Sequence, residues 1–315
     1  MMKFLRGIAA SMLLAFATTV HADEAKTDVK LLYTAASPFV AVYVAKEQGF
    51  FDKNGVRVEL QLAQNGSVLL AGILSNSAQV GLPTPTVILQ AINNGMDLRV
   101  FAATNIFPDS TAASLIVGTD SGIRKAADLS GKKVGVPGIG GLLDVVMRKW
   151  VDENGGDSGK MNIVEVILPQ TGDALRSKQV DAVTSVDPFA SRAVESGAGT
   201  ILGSYMSVIE PGSPAALLTT TGEWASSHPE AIAGMQRALE EAAAFIATHP
   251  GEARAAIAKY TSLPLPVLAN IPMPNLTNLR LDPNKSLGFW QKIALEQGLI
   301  TEPVNLTKVV IPFRP

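Results

Sequence analysis

Apolar residues along this chain fall into two alternating patterns, and each repeats. Leu31 to Thr34 is a short apolar run, followed by a loop at Ala35-Ala36-Ser37-Pro38 and a helical pattern from Phe39 to Glu47 that stops at Gly49, a residue suited to a left-handed C-cap. Asn54-Gly55 marks a turn. Val56 to Leu62 then alternates with period two, as a half-buried strand does. After Gln64-Asn65-Gly66-Ser67 the spacing predicts a helix over Val68 to Leu74, a strand over Ala78 to Leu82, and a helix ending at Gly95. Thr84 is the predicted cap of that last helix, with Pro85 at its first position. Leu98 to Ala103 completes the set as a strand.

The pattern then restarts. Ser114 to Gly118 and Val134 to Pro137 read as strands, and Gly138-Ile139-Gly140-Gly141 opens a helix from Leu142 to about Glu153. Ile163 to Leu168 is a strand, Asp173 to Gln179 a short helix, Ala182 to Ser185 a strand, and Asp187-Pro188 starts a helix running to Gly197. Leu217 to Thr221 is extended, and Pro229 to Gln297 is mostly helical. Strand–loop–helix units of this length predict mostly parallel sheets flanked by helices. An internal echo supports two copies: helix then Gln79-Val80-Gly81-Leu82, and a shorter helix then Gln179-Val180-Asp181-Ala182. Two such units leave a cleft between them, a preferred place for a ligand.

The 315 residues suffice for two domains of ordinary size, and 47% apolar with 17% charged residues suits a packed core. Lys3 and Arg6 followed by the uncharged stretch Gly7 to Val20, with Val20-His21-Ala22 before Asp23, reads as a cleavable signal peptide over residues 1–22. That stretch is too short for a membrane span, which needs about 20 apolar residues. No Cys follows it to carry a lipid, so the expected location is periplasmic without a lipid anchor. Losing Lys3 and Arg6 takes the formal charge from −2 to about −4. With no basic block, a nucleic acid partner is not expected.

Catalytic options narrow quickly. Cys is absent, which removes thiolate nucleophiles, disulfides and Cys-ligated metals. Beyond the signal only His228 and His249 remain, each before a Pro, and each reads as a helix-boundary residue. Gly138-Ile139-Gly140 has Leu143 where a dinucleotide fingerprint needs glycine. The expected cofactor and metal content is none. What does recur is a helix N-terminus presented after a strand with small or hydroxyl residues in the loop. Such ends carry free N–H groups and about half a positive charge. The candidate ligand-binding residues are therefore Ser37, Asn65, Thr84, Thr86, Gly138, Gly140 and Gly141, with Phe39 and Phe107 for an apolar body and Asn105 at a strand end. Phe39 and Phe107 read equally as core. Asp187 reads as a helix cap or as a cleft acid that would favour an amine or amidine.

Ala45-Lys46-Glu47-Gln48-Gly49-Phe50-Phe51-Asp52-Lys53-Asn54-Gly55-Val56-Arg57-Val58-Glu59 resembles the early segment of the NMT1-like substrate-binding proteins of ABC importers, the nitrate, sulfonate, taurine and thiamine-precursor type. Ala78-Gln79-Val80-Gly81 with Pro83 and Pro85, Asp128 to Pro137, Gln179 to Ala182 and Asp187-Pro188-Phe189-Ala190 resemble later segments in the same order. The resemblance implies a two-lobed periplasmic-binding-protein clamshell (type II), with lobe one at 30–112 plus 216–315 and lobe two at 113–215. It places the connecting strands around Thr111 to Val117 and Pro211 to Thr221. It also implies hinge closure of a monomer on one small-molecule ligand and docking on a membrane permease of an ABC importer. The ligand expected is an organic anion, a sulfonate or an aromatic or aliphatic carboxylate. The alternatives are an amine- or pyrimidine-type ligand through Asp187, a small-molecule lyase using a carboxylate base, Asp187 or Glu210, and a sensor that reports without transport. Where many members carry an aromatic-Glu-Pro, this chain has Val186-Asp187-Pro188, and the short helix after Gly172 is nearly two turns short of its first-lobe counterpart. A pyrimidine-synthesising relative of the fold needs a cysteine cluster that this chain lacks.

Overall fold

The structure, a computed structural model, describes residues 26–314 apart from 105–112, 188, 262, 270–272, 274–275 and 277–278. Ten strands form two five-stranded sheets. The first has the order β2-β1-β3-β10-β4, built from β1 (Thr27–Tyr33), β2 (Val56–Leu62), β3 (Val80–Gly81), β4 (Leu98–Ala103) and β10 (Leu217–Thr221). The second has the order β7-β6-β8-β5-β9, built from β5 (Ala113–Gly118), β6 (Lys133–Val136), β7 (Asn162–Glu165), β8 (Ala182–Val186) and β9 (Gly199–Ser204). The two orders are the same pattern, so the faint repeat in the sequence is a full repeat in topology.

Each sheet contains one strand running against the others. β10 is antiparallel to β3 and β4, and β5 is antiparallel to β8 and β9, while β1, β2 and β3 are mutually parallel, as are β6, β7 and β8. β5 and β10 are the strands through which the chain enters one lobe from the other, and that crossing reverses their direction. The mixed character of both sheets is thus a consequence of a chain that visits lobe one, lobe two and lobe one again.

Thirteen helices cover these sheets among the described residues: α1 (Val40–Glu47), α2 (Phe50–Lys53), α3 (Gly66–Leu74), α4 (Pro85–Asn93), α5 (Leu142–Glu153), α6 (Thr171–Arg176), α7 (Phe189–Glu195), α8 (Gly222–Ser227), α9 (Pro229–Thr248), α10 (Pro250–Thr261), α11 (Leu265–Ala269), α12 (Pro283–Glu296) and α13 (Leu306–Val309). The long α9 buries Ile232, Met235, Leu239 and Ile246 on one face, at the three- and four-residue spacing that makes a helical stripe, and packs on α1. His228 and His249 sit at the helix boundaries expected of them. Each stacks on an aromatic ring one turn earlier, Trp224 and Phe245, with Nδ1 at 3.1 and 3.2 Å from that residue's carbonyl oxygen.

Several expectations need correction. β1 begins four residues earlier than the apolar run, because Thr27 to Lys30, polar except for the buried Val29, pair with Val56 to Glu59. The strand expected over Ala78 to Leu82 is only Val80–Gly81; a Cβ at Gly81 would lie 2.4 Å from Leu69 and 2.8 Å from Ile73, so α3 packs directly on its backbone. β9 escaped the reading altogether. It is an edge strand holding two glycines and an exposed Ile201, so it has no clean alternation to reveal it. β7 stops at Glu165, and Leu168 falls in a 3-10 turn with Pro169.

Thr104 and Ala216 join the chain segments that leave and re-enter lobe one. Thr104 N donates to Ala216 O at 2.9 Å, its Oγ1 donates to the same oxygen at 3.0 Å, and Ala216 N donates to Thr104 Oγ1 at 3.0 Å. Both residues are buried. Thr104→Val keeps the shape and leaves the Ala216 N–H without its partner, so a loss of about 1–3 kcal/mol is expected. A urea midpoint equal to that of the parent would contradict it.

Candidate functional site

Parallel strands bring their C-terminal ends to one edge of each sheet, where the loops that follow them gather. On lobe one these are the loops after β1, β2 and β3. On lobe two they are the loops after β6, β7 and β8. The lobes touch where α4 begins. Thr86, fully buried, donates from Oγ1 to Gly140 O at 2.8 Å. One turn later on the same helix, the Gln90 amide lies against Gly140, where a Cβ would come within 2.9 Å of Nε2. Gly140 itself has φ +74°, the left-handed region that an L side chain resists. The seam continues along α5, where Gln297 Nε2 donates to Val145 O at 2.7 Å and Glu296 approaches Lys149 at 3.9 Å.

Polar satisfaction along this seam is uneven. Thr84 occupies the N-cap position of α4, yet its side chain makes no cap bond, and Oγ1 is buried without a partner. Gln90 Nε2 is likewise buried and unpartnered. Ser213, 2% exposed in the crossing segment before β10, has an unpartnered Oγ as well. A buried polar atom without a partner costs about 1–3 kcal/mol.

The remaining candidates divide clearly. Asn65 is the N-cap of α3, its Oδ1 accepting from Val68 N at 2.9 Å. Ser37 opens a 3-10 turn ahead of α1. Phe39 is 5% exposed and belongs to the hydrophobic core, which corrects its reading as a surface for ligand. Asp187 is exposed and accepts from Ser191 N at 3.0 Å and Ser191 Oγ at 2.7 Å; its carboxylate caps α7. Asn105 and Phe107 lie outside the described residues. From Ile139 to Gly141 the main-chain donors expected for a ligand are already used. Ile139 N donates to Glu165 Oε1 at 3.3 Å, Gly140 N to Asp144 Oδ2 at 2.8 Å, and Gly141 N to Gly138 O at 3.1 Å.

Sequence reasoning missed Gln90, Asp144 and Ser213. Thr86 and Gln90 are spaced i,i+4 and so share a helix face, while Asp144 sits at the third helical position, where acidic caps occur; both signals were available. Ser213 had none. Tyr205, fully buried, has its hydroxyl pushed well above the usual phenol range by that burial, so it stays protonated and cannot serve as a base. Among the described residues no cluster of three or more His, Cys, Asp or Glu could hold a metal ion, and no helix is long and apolar enough to cross a membrane. A cavity of about 250 Å³ lined by Glu240, Ala243, Leu276, Leu279 and Arg280 lies on lobe one, and none of its lining residues belongs to the seam.

The model of the "NMT1/THI5 like" family matches residues 37–253, well over half of the chain and every strand except β1. This chain belongs to that family. A curated relative, a putative binding protein of Brucella abortus, is 24% identical over 221 residues, covering 69% of this chain and 66% of the relative, just under two thirds of its length. The periplasmic aliphatic sulphonate binding protein SsuA of Escherichia coli superposes with a TM-score of 0.70 at 19% identity, covering 90% of this chain and 97% of that one. The desulfurization enzyme DSZB superposes with a TM-score of 0.65 at 16% identity over 90% and 96% of the two chains. At these identities the likeness is one of fold, the periplasmic binding protein fold expected from the sequence.

Proposed function

We propose that this chain is an exported solute-binding protein of an ABC importer, a non-enzyme that closes its two lobes on one small organic ligand and releases it unchanged. The observation that carries the reading is the seam at α4: Thr86 bridges the lobes to Gly140 while Thr84 Oγ1 and Gln90 Nε2, both neutral and buried, lack partners beside it. Ligand contacts reaching both lobes favour the closed state by their differential affinity, which is how binding drives closure. In this reading residues 1–22 direct export to the periplasm, lobe one is 30–112 plus 216–315, lobe two is 113–215, and the closed monomer docks on a membrane permease. The polar head of the ligand, a sulfonate or a carboxylate, meets the donors of lobe one. The other reading, an amine held by Asp187, is less well supported, since that carboxylate already accepts two hydrogen bonds from Ser191.

A thermal screen of the purified protein against organic sulfonates, carboxylates, amines and pyrimidines tests this. A compound at 100 times its dissociation constant adds about 2.7 kcal/mol, an easily read shift. The bound compound should be recovered intact by mass spectrometry. Conversion to a product would instead establish a lyase or desulfurising activity on this fold.

A further inference from the structure

The loop after β6 leads into α5, a helix of twelve residues whose first turn meets lobe one through Gly140 and Val145. An exposed helix N-terminus of this length ordinarily attracts an anion. Here a carboxylate of the protein itself takes that place. Asp144, 1% exposed, accepts from Gly140 N at 2.8 Å and from Arg148 Nε at 2.7 Å. Glu165 holds the neighbouring Ile139 N. The Ile139 side chain, 56% exposed, adds an apolar surface to the same loop. Across the seam the polarity is opposite, with uncharged and unpartnered Thr84 Oγ1 and Gln90 Nε2.

An ordinary capping carboxylate at the third helical position bonds the N–H of its own N-cap residue. Asp144 instead reaches past Gly141 to Gly140, the residue that lobe one grips, and draws in Arg148 from the next turn. Helix capping alone requires neither the buried charge nor its cation.

We propose that Asp144 is a specificity-determining residue that denies the lobe-two loop to small oxyanions. The proposal rests on the solute-binding reading above and narrows its ligand class. The accepted ligand is an organic molecule whose one polar head is received by the neutral donors of lobe one and whose other end is uncharged. Nitrate, bicarbonate and sulfate, with no such end, are refused. Arg148 does not reverse this, because its guanidinium is held by Asp144 and the Ser158 carbonyl, and its pair with Asp144 is neutral overall.

Calorimetric titration at constant ionic strength, using sodium nitrate, bicarbonate and sulfate as probes, tests the assignment on the full chain. The parent protein is expected to show no saturable binding of any of the three. Asp144→Asn keeps the size and one acceptor, removes the charge and frees Arg148. It should bind at least one probe at least about tenfold tighter than the parent's detection limit, the effect of one charge-assisted hydrogen bond. Adding Arg148→Met should abolish the gain. Parent binding of any probe at micromolar concentration overturns the proposal. A folded Asp144→Asn protein with no gained binding also overturns it and leaves Asp144 a helix cap only. Should Asp144→Asn fail to fold by circular dichroism, Asp144→Ser and the parent titration decide in the same way. Failure of the solute-binding reading shows differently: no organic compound in the thermal screen would stabilise parent or variant.

Discussion

Gly234→Ala is expected to destabilise the protein by about 2 kcal/mol, although alanine is the better helix former. A Cβ at this position of α9 would lie 2.3 Å from the main-chain oxygen of Asn54 and 3.1 Å from Val56 Cγ2. The obstacle is backbone that cannot easily retreat. Asn54 N donates to Phe51 O at 3.0 Å, its Nδ2 donates to Phe50 O and Glu241 Oε1, and its Oδ1 accepts from Arg237 Nε. The turn Asn54-Gly55 is thus the cradle on which α9 docks. Overpacking of this kind costs about 1–3 kcal/mol, and an overlap with backbone belongs at the upper end. Helix propensity returns about 1 kcal/mol. A urea midpoint equal to or above that of the parent, at unchanged slope, would mean that α9 does not approach β2 so closely.

The double variant Thr84→Val, Gln90→Leu should separate stability from binding. In the ligand-free protein it removes two buried polar atoms that lack partners. Burying an unsatisfied polar group is unfavourable, so the variant is expected to melt at or above the parent temperature. For the compound identified by the thermal screen, two lost hydrogen bonds of about 1–2 kcal/mol each should weaken binding by about 100-fold. A stability gain with a binding loss is the mark of residues kept for a ligand. Loss of stability with unchanged affinity would place both side chains in the scaffold alone.

Much of the fold was legible because its signals are local. The period-two run of Val56 to Leu62 and the Pro85 start of α4 each report their own element, and the echo between Gln79 and Gln179 pointed to two similar units without giving their strand orders. β9 was hidden because an edge strand need not alternate, and its Gly203 instead accommodates Trp150, a contact visible only after folding.

The positions of the candidate residues were legible in outline, and the partners they take were not. Loop position correctly brought Thr84, Thr86 and Gly140 to the seam between the lobes. Which donors remain free depends on side chains that reach them from elsewhere. Asp144 and Glu165 occupy the N–H groups of Gly140 and Ile139, and Glu165 does so from 26 residues away. Phe39 turned inward because the 3-10 turn before α1 buries it against the core. Spacing alone contains neither fact.

Small-angle scattering, with the screened compound absent and then saturating, reads the jaw motion directly. A radius of gyration that falls on addition and returns when the compound is dialysed away, itself unmodified, is the expected result. An identical scattering curve in both states, with the compound demonstrably bound, would contradict a clamp that works by closing.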